Sequence, residues 1–422
     1  MTVLIAGAGI AGLTLGLSLH SLGIPFRVLE AVRSLRPLGV GLNLQPHATR
    51  ELFELGLEVP LDRVGLRTEG LVYFSAHGQE IWREPRGLAA GYDWPQFSIH
   101  RGGLQMALHD ALRARAGDVI SYGAAVTGWR DTATGVEVSL RNRESGACLA
   151  PVQGAVVVAA DGINSALRAG AYPDEGPAHW RGTMMWRGVT RGPRFLGGRT
   201  IAMAGTRSRK FVAYPIGDTE DGGSLINWIA DLEMPTGYDW LAQDWNRPGQ
   251  RAGFAPQFAD WQFDWLNVPE IIAGADGIWE FPMVDRNPLK RWSFGPMTLI
   301  GDAAHAMYPI GSNGASQAIL DARVLAREFC DRGVGPQALA AYEDARREAV
   351  NAVVLAGRGD GPDKILDIVA ARAPDGFEDI ETVMPLSQRR DFAQGYKALV
   401  GMDIAALNAR PSLIAGQGNR VT

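Results

Sequence analysis

A glycine-rich turn between an apolar strand and a helix constrains this chain more than any other feature. Residues 3–6 read VLIA, and Gly7, Gly9, Ala11 and Gly12 follow in the segment GAGIAG. Glycines at these offsets permit a tight turn and let a ligand approach the backbone closely. The helix that follows would point its N-terminus at a pyrophosphate. The pattern therefore predicts a dinucleotide-binding unit.

A carboxylate completes this unit. A second apolar strand, residues 26–29, ends at Glu30, at the distance from the turn where an acidic side chain accepts hydrogen bonds from a ribose. The alternative is a glycine-rich turn in an ordinary α/β core. The motif does not choose between NAD and FAD, and no second GxGxxG occurs in the chain.

Composition narrows the class of protein. The chain has 422 residues and a formal net charge of −5, which predicts two or three coupled lobes and argues against a nucleic-acid partner. Its two cysteines, Cys148 and Cys330, have no metal-ligand spacing. The apolar N-terminal stretch lacks a basic region before it, and no uninterrupted apolar run is long enough for a membrane span. We expect a cytoplasmic enzyme with no metal, nucleic acid or membrane partner.

A late segment, LIGDAAHAMYPIGSNGASQAILDA, places a carboxylate directly after an apolar strand. Asp302 ends the strand, Pro309 lies in the loop, and Gly314, Ala315 and Ser316 precede a helical run. Ligands of open α/β sheets bind at the carboxyl ends of strands. Small residues there let backbone N–H groups point at a ligand, so this segment predicts a second part of the same site.

Two further segments carry charged residues at element boundaries. Arg101 begins an amphipathic helix, where the helix dipole favours anions, so an anionic ligand nearby would explain it. A solvated surface arginine is the alternative. Asp161 follows the strand at residues 155–159 in the segment ADGINS. It either faces the ligand or caps the next helix. Gly41 lies in a glycine-containing extended stretch, residues 39–44.

The middle of the chain changes character. Residues 176–285 contain short β-patterned runs and most of the tryptophans, which indicates a second lobe built on an antiparallel sheet. The predicted fold is α/β: a Rossmann-like FAD-binding domain, an inserted antiparallel β-sheet substrate domain and a C-terminal helical segment. The predicted boundaries are 1–175 and 286–358 for the FAD-binding domain, 176–285 for the inserted domain and 359–422 for the C-terminal segment.

GAGIAG, ADGINS and GDAAHAMYPIGSNGAS, in this order, resemble the single-component (class A) FAD-dependent aromatic hydroxylases from residue 1 to about 355. Within that family the chain is most similar to monooxygenases of 5-methylphenazine-1-carboxylate, and it is also similar to salicylate and 4-hydroxybenzoate hydroxylases. The resemblance implies non-covalent FAD, NADH or NADPH as reductant, and O₂. It implies hydroxylation of an aromatic or heteroaromatic ring through a flavin C4a-hydroperoxide, by a monomer or homodimer. A flavin-dependent oxidase, dehydrogenase or reductase on the same fold is the alternative.

The resemblance also assigns cofactor-binding roles. Asp302 would contact the ribityl or pyrophosphate region, Arg101 and Asp161 the phosphates, and the backbone near Ala315 the flavin ring. His47 stands where many relatives have Asn, and we interpret it as a surface imidazole. The full set of predicted FAD-binding residues is Gly7, Gly9, Ala11, Gly12, Glu30, Gly41, Arg101, Asp161, Asp302, Gly314, Ala315 and Ser316.

The substrate would lie between the flavin and the sheet of the second lobe. Strand alternation together with the family pattern predicts that Phe211, Ile201 and Met203 face this space. Arg187 would anchor an acidic group, unless a structural carboxylate already satisfies it. Pro309 would lie close to the reacting oxygen. We therefore predict a fused-ring or heteroaromatic substrate that carries a hydroxyl or carboxyl group.

Overall fold

The computed structural model describes residues 2–37, 39–241, 247–359 and 361–414. Its strands, in chain order, are β1 (Val3–Ala6), β2 (Phe26–Leu29), β3 (Gly41–Leu44), β4 (Gly65–Thr68), β5 (Gly70–Phe74), β6 (Glu80–Pro85), β7 (Gln96–His100), β8 (Ile120–Ser121), β9 (Ala124–Thr132), β10 (Gly135–Asn142), β11 (Cys148–Gly154), β12 (Val156–Ala159), β13 (His179–Gly192), β14 (Thr200–Gly205), β15 (Arg209–Asp218), β16 (Ser224–Glu233), β17 (Arg247–Pro248), β18 (Gln262–Phe263), β19 (Leu266–Asn267), β20 (Ala275–Asp285), β21 (Ser293–Phe294) and β22 (Met297–Leu299).

The α-helices are α1 (Ile10–Ser21), α2 (Pro46–Glu54), α3 (Glu58–Val64), α4 (Arg101–Ala116), α5 (Ala166–Ala171), α6 (Val268–Ala273), α7 (Asp302–His305), α8 (Gly314–Arg332), α9 (Pro336–Arg358), α10 (Lys364–Arg372), α11 (Ile380–Val383), α12 (Leu386–Leu399) and α13 (Ile404–Ala409). Short 3₁₀ turns occur at Gly87–Ala90, Leu196–Gly198, Arg251–Gly253, Ala255–Phe258 and Ile310–Ser312.

A six-stranded sheet in the order β21-β22-β12-β1-β2-β8 forms the core of the first lobe. All its pairs are parallel except β21 with β22. Ala159 is level with both Ala6 and Leu299, so β1, β12 and β22 end together. The three sequence motifs follow these three ends, and the sheet therefore brings them to one edge. The predicted Rossmann-like lobe is confirmed.

The turn after β1 requires its glycines. Gly7 has a φ of +102°, a backbone conformation that other residues rarely adopt. A Cβ on Gly12 would lie 2.0 Å from the Gly7 carbonyl oxygen, so no side chain fits at that position. Helix α1 is buried over most of its length, as its largely apolar sequence predicts.

The second lobe is an eight-stranded sheet in the order β17-β20-β13-β16-β15-β14-β5-β6. Its pairs are antiparallel apart from β14 with β5. Six of the strands come from the middle of the chain, as expected. Strands β5 and β6 come from residues 70–85, so the sheet also recruits a hairpin from outside the predicted insertion.

The two faces of this sheet are buried by different partners. One face contributes Phe211 and Trp228 to an aromatic core that also contains Phe254, Phe258 and Trp261. The opposite face packs against the C-terminal helices, which contribute apolar residues of α10. The C-terminal segment, which has no sequence motif, is therefore a wall of the second lobe rather than an appendage.

The sequence predicts neither a membrane span nor a metal site. Within the described ranges, no helix combines the length and apolar character that crossing a membrane would need. Nor do they contain a group of three or more His, Cys, Asp or Glu side chains arranged to hold a metal ion. Cys148 and Cys330 are both exposed and unpaired.

The interpretation of His47 as a surface residue is wrong. His47 lies in the first turn of α2 and is only 1% exposed. Burial, together with the charges of Arg410 and Arg346, lowers its pKa from 6.5 to about 3. The polar residues of this helix gave no sign that His47 would be buried.

This burial predicts an acid-dependent loss of stability. The unfolded chain binds a proton at His47 as the pH falls below 6.5, whereas the folded chain does not until about pH 3. Between pH 7 and pH 5 this single group lowers the free energy of unfolding by about 2 kcal/mol. We expect His47→Asn to lose less stability over that interval, measured by urea denaturation at saturating FAD. His77→Asn, a change at an exposed histidine, is the matched control. Equal pH dependence in His47→Asn and wild type would contradict the assignment.

Candidate active site

A cavity of about 390 Å³ lies where the two lobes and the C-terminal helices meet. Its volume falls within the range of small-molecule sites. The first lobe contributes the carboxyl edge of its parallel sheet, the second lobe one face of its sheet, and α10 and α12 the remaining wall. The residues that line the cavity include Gly9, Ala11, Gly41, Arg86, Arg101, Arg187, Ile201, Met203, Lys210, Val212, Tyr214, Asp231, Asp302, Pro309, Gly314, Ala315, Asp363, Tyr396 and Lys397.

The first-lobe wall is suited to an anion. Helix α1 starts at the cavity with Gly9 as its N-cap, and neither a capping side chain nor an acidic residue occupies its first turn. Its free N–H groups can therefore bind a phosphate. Arg101 lines the same region and makes no ion pair with any described residue. Asp302 also lines the cavity and is exposed to it.

The loop before α8 lies against the C-terminal segment. Pro309, Gly314 and Ala315 line the cavity, as predicted, and α8 begins without a side-chain cap. Gly311 has a φ of +72°, and a Cβ there would lie 1.9 Å from the Tyr396 hydroxyl oxygen. The loop is thus fitted closely to α12.

A buried ion network fixes the strand end that carries Asp302. Asp321 on α8 accepts a hydrogen bond from the Gly301 amide at 3.0 Å and lies 2.5 Å from His305 Nε2. Arg346 contacts the other oxygen of this carboxylate at 2.9 Å. Burial opposes the charge on Asp321, but His305 and Arg346 together lower its pKa. The carboxylate therefore stays ionised and holds the loop in place.

Five of the predicted FAD-binding residues do not line the cavity: Gly7, Gly12, Glu30, Asp161 and Ser316. Glu30 accepts hydrogen bonds from the amides of Ala8, at 2.7 Å, and Val32, at 2.9 Å. Ser316 accepts one from the Gln45 amide at 3.1 Å. Both brace the backbone that forms the wall. Gly7 and Gly12 similarly shape the turn without lining the cavity.

The prediction that Asp161 faces the cofactor is not supported by its position. Its carboxylate accepts a hydrogen bond from the Ala166 amide at 3.0 Å, at the start of α5. Ala160 and Gly162, on either side, line the cavity instead. One oxygen of Asp161 therefore caps the helix. The other, Oδ1, has no partner among the described residues, and its contact with the cofactor stays a prediction.

The sheet wall confirms strand alternation but corrects one residue. Ile201 and Met203 line the cavity. Phe211 does not: it is 1% exposed and packs on the opposite face, with its ring 5.9 Å from that of Trp228. Met203 pairs with Val212 across the two strands, so Val212 takes the position predicted for Phe211. The register was misjudged by one residue, which exchanges the faces.

Arg187 lines the cavity and has no carboxylate partner among the described residues. Its guanidinium donates a hydrogen bond to the Gly41 carbonyl at 2.8 Å, while its Nε has no partner in that set. Burial lowers its pKa, and interactions with Tyr214 and Asp231 oppose this shift. A buried guanidinium with a free donor is suited to an acidic ligand group.

A lysine and two aspartates at the cavity were not predicted. Lys210 Nζ lies 2.6 Å from Asp363 Oδ2 and 3.3 Å from Asp231 Oδ2. Burial opposes the charge of Lys210, but these two carboxylates raise its pKa. The available signal was a charged residue inside each of the apolar runs RKFVAYPI and LINWIADLE. Asp363 could not be found in this way, because the C-terminal segment around it has no sequence motif.

A second ion pair closes the opposite side. Glu84 on β6 pairs with Arg86, and Lys397 on α12 reaches the same carboxylate at 2.8 Å. None of the three side chains is more than 23% exposed to solvent. The C-terminal segment is therefore tied to the sheet by charge at two separate places.

The first-lobe wall fits FAD. Its uncapped helix N-termini supply N–H donors, Arg101 supplies a positive charge that has no ion-pair partner among the described residues, and backbone rather than side chains faces the cavity at Gly9 and Gly314. A Cβ at Gly9 or Gly314 would meet no atom closer than 3.9 Å, so the space beside each is open for a ligand.

Comparison with known proteins agrees with this geometry. A family model described as FAD binding domain matches residues 1–187 and 275–356. The phenazine 1,6-dicarboxylic acid hydroxylase of Lysobacter antibioticus is 44% identical over 84% of this chain and 89% of its own length. The aurachin C monooxygenase/isomerase of Stigmatella aurantiaca is 32% identical over 83% of this chain and 86% of its own.

Solved structures share the fold. The Klebsiella pneumoniae protein HpxO, crystallised with FAD and uric acid, superposes with a TM-score of 0.73 over 97% of both chains at 23% identity. The 2,6-dihydroxypyridine-3-hydroxylase of Arthrobacter nicotinovorans superposes with a TM-score of 0.65 at 21% identity, over 85% of this chain and 93% of its own.

The position of Glu30 leads to a test of its role in FAD binding. Glu30→Ala removes a charged acceptor from the turn, and a charged hydrogen bond contributes ~1.5–3 kcal/mol. We expect the Kd for FAD to rise about 10- to 150-fold, measured by equilibrium dialysis. Glu30→Gln keeps one acceptor oxygen and should lose less. An unchanged Kd, with lower thermal stability of the FAD-free protein, would show that Glu30 only braces the backbone.

Proposed function

The chain belongs to the FAD binding domain family and is an FAD-dependent aromatic hydroxylase, and on this premise we propose that its substrate is a flat, fused-ring heteroaromatic carboxylate. The reductant in this proposal is NADH or NADPH, and the oxidant is O₂. The observation that supports the substrate class is Arg187, a half-buried cation whose buried Nε has no partner among the described residues, beside apolar side chains of the same sheet face.

The shape of the sheet wall supports a flat ring. Ile201, Met203 and Val212 present apolar side chains from neighbouring strands, and Ile229 extends the same surface. Such a surface gains from covering an aromatic ring, at ~25 cal/mol per Å² of apolar area buried. The relative of 44% identity is named for a phenazine dicarboxylic acid, a ring system of this kind.

Each wall has a separate task in the proposed reaction. Bound FAD supplies the redox and oxygen chemistry. The N-termini of α1 and α8 and Arg101 would hold its phosphates and ring. Arg187 would fix the acidic group of the substrate, so that one ring edge points at the reacting position beside Pro309. Helices α10 and α12 would exclude water from the cavity. This favours transfer of oxygen to the substrate over unproductive breakdown of the activated oxygen.

Product analysis tests the proposed function. The FAD-loaded protein is incubated with NADH, or separately with NADPH, and phenazine-1-carboxylate under ¹⁸O₂. We expect substrate-stimulated O₂ uptake and a product that carries one ¹⁸O atom. Formation of H₂O₂ alone with every heteroaromatic carboxylate tested would contradict a hydroxylase of this substrate class and favour an oxidase or reductase.

The role of Arg187 leads to a second test. Arg187→Met keeps an unbranched apolar side chain but removes the charge, and the expected loss of ~1.5–3 kcal/mol raises KM about 10- to 150-fold. Steady-state NADH oxidation with phenazine-1-carboxylate measures this effect. Arg191→Met, a change at an exposed arginine on the same strand, is the matched control. Equal KM and equal coupling in Arg187→Met and wild type would remove Arg187 from the site.

A further inference from the structure

The sheet wall carries a buried carboxylate with an unused acceptor. Asp231 on β16 is 3% exposed and lines the cavity. Its Oδ2 faces Lys210 Nζ at 3.3 Å, while its Oδ1 has no hydrogen-bond partner in the described part of the chain. A buried acceptor without a donor is costly. A ligand that brings a donor would therefore be favoured at this position.

Lys210 does not satisfy Asp231 completely, because it contacts only Oδ2 of that carboxylate. Asp363 lies closer to the ammonium group, at 2.6 Å, and donates no hydrogen bond of its own in its ionised form. Two carboxylates thus face one ammonium. Burial raises the pKa of Asp231, with the charge of Lys210 opposing it. The unpartnered Oδ1 of this buried carboxylate provides a place for a further hydrogen-bond donor.

The position of Asp231 relative to Arg187 defines what the donor belongs to. In the register of β13 and β16, Asp231 is opposite Met185, and Arg187 is opposite Ile229. Asp231 and Arg187 are therefore diagonal neighbours on one face, with a spacing of ~7–8 Å between such positions. Arg187 has an unpartnered donor, and Asp231 an unpartnered acceptor. A fused-ring ligand can reach both.

We propose that Asp231 is a specificity-determining residue that accepts a hydrogen bond from an O–H or N–H group of the substrate. The substrate class is then a fused-ring carboxylate that also carries a donor on the side away from its acidic group. This inference rests on the proposed function and adds a second polar contact to it. A hydroxyl that donates to a carboxylate also gains electron density on its oxygen and ring, which favours attack on an electrophilic oxygen.

Three matched ligands test this inference: phenazine-1-carboxylate, its 6-hydroxy derivative and the 6-methoxy ether of that derivative. Each is titrated into the FAD-loaded protein without NADH or NADPH, and Kd is read from the flavin absorption spectrum. We expect the wild type to bind the 6-hydroxy compound at least about tenfold more tightly than the other two. Asp231→Leu should reduce this preference to within about twofold.

Asp363→Asn is the control, because it changes the other partner of Lys210 and leaves the Asp231 carboxylate in place. It should keep the preference for the hydroxyl. Loss of the preference in Asp363→Asn as well as in Asp231→Leu would assign it to the ion network and overturn the role of Asp231. If Asp231→Leu does not fold, equal affinity of the wild type for the hydroxyl and the methoxy compounds still overturns the role of Asp231.

The same titrations distinguish failure of the role of Asp231 from failure of the substrate class. Wild-type protein that binds all three ligands with equal affinity would overturn the role of Asp231 and leave the fused-ring carboxylate class intact. Wild-type protein that binds none of the three would overturn that substrate class and, with it, this inference.

Discussion

The site depends on the alternation of side chains across the eight-stranded sheet. Because successive residues point to opposite faces, the same strands build an aromatic core on one side and a ligand wall on the other. Phe211 and Trp228 belong to the first face, and Val212 and Asp231 to the second. The second face also carries the charged residues Lys210 and Arg187. It also holds these charges on a rigid element rather than on loops.

Charge then joins the segments that the sheet alone does not connect. Asp363 and Lys397, both from the C-terminal segment, pair with Lys210 and Glu84 on the sheet. Removing one member of such a buried pair leaves an uncompensated charge, which is strongly destabilising. The C-terminal segment is therefore held over the cavity by the same residues that define its polarity.

Sequence patterns predicted most of the first lobe, since the three motifs follow strands whose ends coincide in the sheet. They identified the backbone that lines the cavity at Gly9 and Gly314, and also Arg101 and Asp302. They did not predict which side chains would bind nearby backbone amides instead of lining the cavity. Glu30 braces the turn, and Asp161 caps a helix.

The second lobe was predicted less well, for two physical reasons. A shift of one residue in a strand exchanges its faces, so Phe211 was placed where Val212 lies. The burial of His47 and the pairing of Asp363 with Lys210 both depend on contacts between distant segments, and such contacts leave no local pattern. Arg187 was found because a charged residue inside an apolar strand is unusual. The same reasoning applied to Lys210 and Asp231 would have found them as well.

We propose that a single cavity, closed by the C-terminal helices, holds a flat ring against the sheet and beside FAD. A crystal structure of the protein with FAD and phenazine-1-carboxylate tests it most directly. We predict that the ring covers Ile201, Met203 and Val212, that its carboxylate contacts Arg187, and that α12 lies over it. A ring bound outside this cavity, or a carboxylate directed away from Arg187, would contradict the claim.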